Sequence, residues 1–131
     1  MDLTQNVKEF TIDAGADLVG IASVSHLEKV IPTEQKPLKI LPSGKSVISY
    51  GVHLLKGVME CKDLRLRRYG VVETCRANDE IGFKLAHYLE KLGHKAVIIH
   101  ADVPVDLEDK GMLGDLSLRH VAAEAGLGEI G

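Results

Sequence analysis

Hydrophobic positions follow two rhythms along this chain. Leu3, Val7, Phe10 and Ala14 recur at spacings of four, three and four, which puts them on one helical stripe. This predicts a helix over residues 3–16 stopped by Gly15. Residues 17–23, Asp-Leu-Val-Gly-Ile-Ala-Ser, are apolar at odd and even positions alike, as a strand buried on both faces is. Ser25 can cap a short helical turn through His26, Leu27 and Glu28. Pro32, Pro37, Pro42 and Gly44 then exclude regular structure over 31–44.

A second strand is expected over residues 46–53, Ser-Val-Ile-Ser-Tyr-Gly-Val-His. Residues 54–75 carry mixed signals: helix in parts, with little order near Gly70. From there the helical period is clear. Asn78 is the expected cap of a helix running to about Leu92 and closed by Gly93. Its buried stripe is Ile81, Leu85, Leu89 and Leu92, and Glu80 precedes Lys84 by four residues, the favourable order for an ion pair. A third strand is predicted over 95–100 and a loop over 101–114, longer than most connections in a compact domain. The last helix spans 116–125, capped by Asp115 or Ser117. Strands alternating with helices predict an α/β (α+β) fold, a layered core with a small sheet flanked by helices.

Composition narrows the function classes. The 131 residues suit one domain, 45% hydrophobic and 27% charged, the ordinary mix of a folded chain. A net charge of -3 lacks the basic excess of a nucleic-acid reader. The basic run Lys62, Arg65, Arg67 and Arg68 reads as a solvated face. No stretch approaches the ~20 apolar residues of a membrane helix. The first ten residues lack the basic-then-apolar pattern of a signal peptide. These features predict a cytoplasmic protein, in which Cys61 and Cys75 are free thiols. Two cysteines are too few for a thiolate-held cluster.

Two motif matches fail on context. Gly126, Gly128 and Gly131 spell G-x-G-x-x-G, but a nucleotide-binding fold places those glycines between a strand and a helix. Here a helix precedes them. Gly44-Lys45-Ser46 resembles the tail of a phosphate-binding loop, yet Lys39 stands where its first glycine belongs and a strand follows instead of a helix.

The polar side chains offer fewer certainties. The six histidines, His26, His53, His87, His94, His100 and His120, show no metal-ligand spacing. His53 and His100 are placed at the C-terminal ends of predicted strands, the edge where open α/β sheets bind ligands. The acidic run Asp102, Asp106, Glu108, Asp109 and Asp115 does not fit a calcium loop. In the last helix Leu118, Val121, Ala122 and Ala125 form a small-residue face, with Arg119 and His120 beside it. Such groups ahead of a glycine-rich turn suit an anionic or amide-bearing ligand.

The stretch 116–131, Leu-Ser-Leu-Arg-His-Val-Ala-Ala-Glu-Ala-Gly-Leu-Gly-Glu-Ile-Gly, resembles the segment of epoxyqueuosine reductases and reductive dehalogenases that leads into A-G-L-G-x-I-G. Residues 16–22, 41–48 and 86–93 resemble that family's first strand, its second strand and the helix end before its third. The resemblance implies a nitroreductase-like core fragment that binds cobalamin. It also implies that residues 1–131 are the N-terminal part of a longer reductase. Two four-iron four-sulfur clusters would then lie in a missing C-terminal ferredoxin-like module. By position, the residues lining the corrinoid pocket would be Ser117, Arg119 and His120, with Gly126 and Gly128 giving close backbone approach and Tyr69 also facing it.

Two departures matter. The family's proton-donating aspartate falls on Met112, and of its P-x-x-E-R stretch only Arg119 remains. The substrate, a small molecule or a modified nucleoside, stays open, as does the catalytic residue. The alternatives are a non-catalytic corrinoid or protein-interaction module and a flavin-binding nitroreductase-like domain. A truncated core would expose apolar surface, so a homo-oligomer is expected.

Overall fold

The computed structural model describes residues 2–32, 36–99 and 118–128. Helix α1 (Leu3–Asp13) starts where Asp2 accepts the Gln5 amide at 2.8 Å, a side-chain cap for an otherwise unpaired donor. Strand β1 (Leu18–Ser23) runs directly into α2 (Val24–Val30). A short 3-10 turn over Pro37–Lys39 leads back to β2 (Ser46–Gly51). Then come α3 (Lys56–Glu60), the long α4 (Leu64–Lys91) and α5 (Leu118–Glu124).

Among the described residues the sheet has two strands. They are antiparallel, with Leu18 opposite Gly51 and Ser23 opposite Ser46. Side chains alternate across a strand, so Gly20, Ala22, Val47 and Ser49 share one face, while Val19, Ile21, Ile48 and Tyr50 share the other. On the first face α5 packs so tightly that a Cβ on Gly20 would collide with the Ala125 carbonyl and the Leu127 side chain. On the second face Tyr50 meets α4, its hydroxyl donating to the Asn78 carbonyl at 3.1 Å. Helix α1 joins α4 on that side, with Phe10 stacked on Tyr88 at 4.2 Å between ring centroids. The sheet is thus flanked by helices, an α+β arrangement.

Three helices end in the same way. The amides of Gly15 and Ala16 bond to Ile12 and Thr11 at the end of α1; those of Gly93 and His94 bond to Glu90 and Leu89 after α4. After α5, the amides of Gly126 and Leu127 bond to Ala123 and Ala122. Each glycine has positive φ, at 122°, 92° and 83°, which a side chain would strain. The stops expected at Gly15 and Gly93 are therefore present.

The core is small. Ala22, Leu27, Ile31 and Val121 form its buried cluster, with Val47, Ile99 and Ala125 packed against it. Across the sheet, Val7, Ala16, Ile81 and Leu85 are buried. The stripe of α1 differs from its periodic reading, because Thr11 is fully buried while Leu3 is exposed. The Thr11 hydroxyl satisfies itself on the Val7 carbonyl at 2.7 Å, so a polar residue can serve as core.

Three expectations need correction. Asn78 is no cap: α4 begins fourteen residues before it, at Leu64, where the Asp63 carboxylate accepts the Arg65 and Leu66 amides at 3.0 and 3.1 Å. The segment near Gly70 is helical rather than poorly ordered. Gly70, Val71, Val72 and Thr74 all lower helix propensity, but Gly70 is where α3 crosses, and a Cβ there would strike Val58. Residues 95–99 do not form a third strand. The Glu90 carboxylate holds the Ala96 amide at 2.9 Å, away from any ladder with β2. The loop 101–114 and the caps at Asp115 and Ser117 lie outside the described residues. The ion pair expected between Glu80 and Lys84 is present at 3.6 Å, and the basic run 62–68 is exposed as expected.

Two substitutions test this packing. Gly20→Ala should cost about 1–3 kcal/mol, because backbone and Leu127 must both shift to admit one methyl. Leu27→Ala, at a fully buried position, should cost about 2–5 kcal/mol. Urea unfolding of each variant beside the parent chain measures both.

Candidate functional site

A cavity of about 370 Å³ lies around the free edge of β2. Its lining includes five consecutive β2 residues, 46–50, and five consecutive residues, 95–99, on the opposite side. Consecutive positions alternate in side-chain direction, so it is the edge of the strand, and not one face, that borders the space. The Val24 amide bonds to the Lys45 carbonyl at 3.0 Å, which sets the phase of the antiparallel ladder. In that phase Val47 and Ser49 turn their backbone groups towards β1. Ser46, Ile48 and Tyr50 turn theirs towards the cavity.

The walls are mainly apolar. Helix α4 supplies Gly82, Leu85, Ala86 and Leu89, and α5 supplies Leu118, Val121 and Ala122. Ser46, Ser49 and Lys95 place polar groups along the lining. Tyr50, Asn78 and Asp79 line the cavity together, and a Cβ on Gly82 would collide with the Tyr50 hydroxyl. Gly82 therefore lets the tyrosine lie flat across α4. Burial raises the Tyr50 pKa above its ordinary 10.0, and the nearby Asp79 charge raises it further, since both disfavour a phenolate. Asn78 Oδ1 is buried with no hydrogen-bond partner among the described residues.

The residues expected to form a pocket are distributed differently. Tyr69 is 64% exposed on the outer half of α4 and is absent from the cavity lining. His120 is half-buried on α5; its neighbours Val121 and Ala122, rather than His120 itself, line the cavity. Arg119 lies within α5, and Ser117 lies outside the described residues. Gly126 has a structural explanation as the stop residue of α5. A Cβ at Gly126 or Gly128 would meet nothing within 4 Å, so the outside of this turn is open surface.

His53 is exposed and takes no part in the cavity; its backbone amide donates to the Asp17 carboxylate at 2.6 Å. Antiparallel pairing is the reason, because the C-terminal end of β2 lies beside the start of β1. His100 lies outside the described residues. His26 pairs with Glu124 at 2.6 Å, tying α2 to α5. His87 bonds the Phe83 carbonyl within its own helix at 2.9 Å. Among the described residues no group of three His, Cys, Asp or Glu side chains could hold a metal ion. No helix among them is long and apolar enough to cross a membrane. Neither Cys61 nor Cys75 is in a disulfide among the described residues.

No family model, curated protein or solved structure matches this chain. The geometry alone defines the cavity, and sequence reasoning missed most of it. The sequence marks Tyr50 as a strand residue and Asn78 as a helix cap, which it is not, and nothing local joins positions 28 residues apart.

The Tyr50 environment generates a pH prediction. A tyrosine whose pKa is higher folded than unfolded binds its proton more tightly in the native state. Its contribution to stability is full below pH 10 and is lost as pH rises from the ordinary tyrosine value towards the folded one. The parent chain should lose more stability than Tyr50→Phe over that alkaline window. Denaturant midpoints of both chains at matched pH, together with an ultraviolet titration showing one late phenolate, check this.

Proposed function

We propose that this chain is the cofactor-binding N-terminal part of a cobalamin- and iron–sulfur-dependent reductase related to epoxyqueuosine reductases. The observation that carries the proposal is the stretch 116–131, whose described part is a short helix, a left-handed glycine stop and an exposed glycine. A helix that presents a bare turn to the surface lets a bulky amide-bearing cofactor approach backbone directly. The resemblance assigns that role to Gly126 and Gly128, with Arg119 and His120 one to two helical turns earlier.

The cavity at the β2 edge does not fit a corrinoid. A macrocycle carrying amide side chains and a nucleotide loop is far larger than about 370 Å³. Contact with a corrinoid therefore belongs on the outer side of the α5 turn. There this chain offers an open surface rather than a closed cradle. A bound corrinoid would supply reducing chemistry at cobalt. The chain's own contribution is shape and hydrogen-bonding groups beside the turn. With two cysteines in the sequence, it cannot provide the four thiolates of an iron–sulfur cluster. Electron delivery needs cysteines from elsewhere, and the substrate is a small molecule or modified nucleoside.

Two measurements test the reading. The reading frame after the Gly131 codon should encode cysteines spaced C-x2-C-x2-C-x3-C, and the resulting protein should shift the visible spectrum of added hydroxocobalamin. A frame without such cysteines overturns the assignment. Gly128→Leu should leave stability unchanged, because its Cβ faces open space, yet weaken cobalamin binding by about tenfold or more through lost close approach. Unchanged affinity places the corrinoid elsewhere.

A further inference from the structure

The geometry points to the cavity at the β2 edge as a binding site for a small, neutral, mainly apolar molecule that donates one hydrogen bond to Asn78 Oδ1. The site is separate from the corrinoid surface and does not depend on that reading.

Three observations converge on it. The first is size and lining. About 370 Å³ is within the ~300–1,000 Å³ range of small-ligand pockets, which pair apolar walls with a few placed polar groups. Ile48, Leu85, Leu89, Ile98 and Val121 supply the walls. The second is the orphan acceptor. Asn78 Oδ1 is buried without a partner, although a buried polar atom left unpaired costs about 1–3 kcal/mol. A donor arriving with a ligand removes that cost. The Tyr50 hydroxyl does not fill the role, because its proton goes to the Asn78 backbone carbonyl.

The third observation is a set of locally unfavourable choices gathered in one place. An asparagine and a glycine occupy the interior of α4 four residues apart, Asn78 and Gly82, where each weakens a helix. Beside them the outward backbone groups of Ser46, Ile48 and Tyr50 border the cavity, and no third strand pairs with them among the described residues. Sequences break local rules of this kind mainly where function requires it. The donor is taken as neutral because the described residues of the lining include one acidic and one basic side chain, Asp79 and Lys95, whose charges balance.

Indole and benzothiophene separate the hydrogen bond from simple apolar filling. They are nearly the same size and shape, and only indole has an N–H. Amide NMR spectra of the 131-residue chain, titrated with each, should show saturable shifts at Ile48, Gly82 and Ile98. Indole should bind about tenfold more tightly. Asn78→Leu should erase that preference while keeping or raising thermal stability, since it removes the orphan atom. The inference is overturned if neither probe gives saturable shifts, leaving water as the occupant. Equal affinity for the two probes also overturns it, as do shifts confined to the exposed apolar residues of α3 and α4. The comparison of the two probes on the parent chain decides the matter even if the variant fails to fold.

Discussion

A two-stranded sheet cannot hold itself together in water, and every packing decision in this protein follows from that. Strands β1 and β2 must be covered on both faces. The coverage is uneven: α5 and its glycine stop press on Gly20, while α4 is reached through the single long side chain of Tyr50. Where backbone touches backbone the interface is tight. Where one aromatic spans the gap, space is left beside it. The cavity is a consequence of this asymmetry, and it lies at the β2 edge, where the edge groups have no partner strand among the described residues.

The same asymmetry separates two surfaces of α5. The turn after α5 is exposed on its outer side and packed on its inner side against β1. Helix α5 serves both, since Leu118, Val121 and Ala122 line the cavity while Gly126 and Gly128 end the helix at the surface. Its hold on the fold comes from the buried Val121 and from the His26–Glu124 pair at 2.6 Å. An exposed pair of that kind contributes little stability, so apolar packing fixes the position of α5.

Helix α4 shows how a sequence pattern can mislead. At 28 residues it extends about 42 Å, far beyond the sheet. Its outer half leaves Leu64, Leu66, Tyr69 and Val72 exposed and lacks the buried stripe that makes a helix legible. The inner half has that stripe in Ile81 and Leu85. A reading based on burial therefore starts the helix at Asn78, where burial starts. The backbone continues because Asp63 caps the true beginning and because Gly70 admits α3.

Local chemistry determined much of this protein without help from the fold. The glycine stops at Gly15 and Gly93, the proline-rich loop, both strands and the Glu80–Lys84 pair are visible in the sequence, because each depends on residues within a few positions. Tertiary structure alone decided the rest. The antiparallel register pairs residues up to 33 apart. The absence of a strand at 95–99 goes with the hold of Glu90, the penultimate residue of α4, on the Ala96 amide. The surroundings of Asn78 depend on Tyr50 and Ile98 meeting across Gly82. A side chain's period reports which way it faces; what it meets is set by the long-range packing of elements that the chain brings together only once folded.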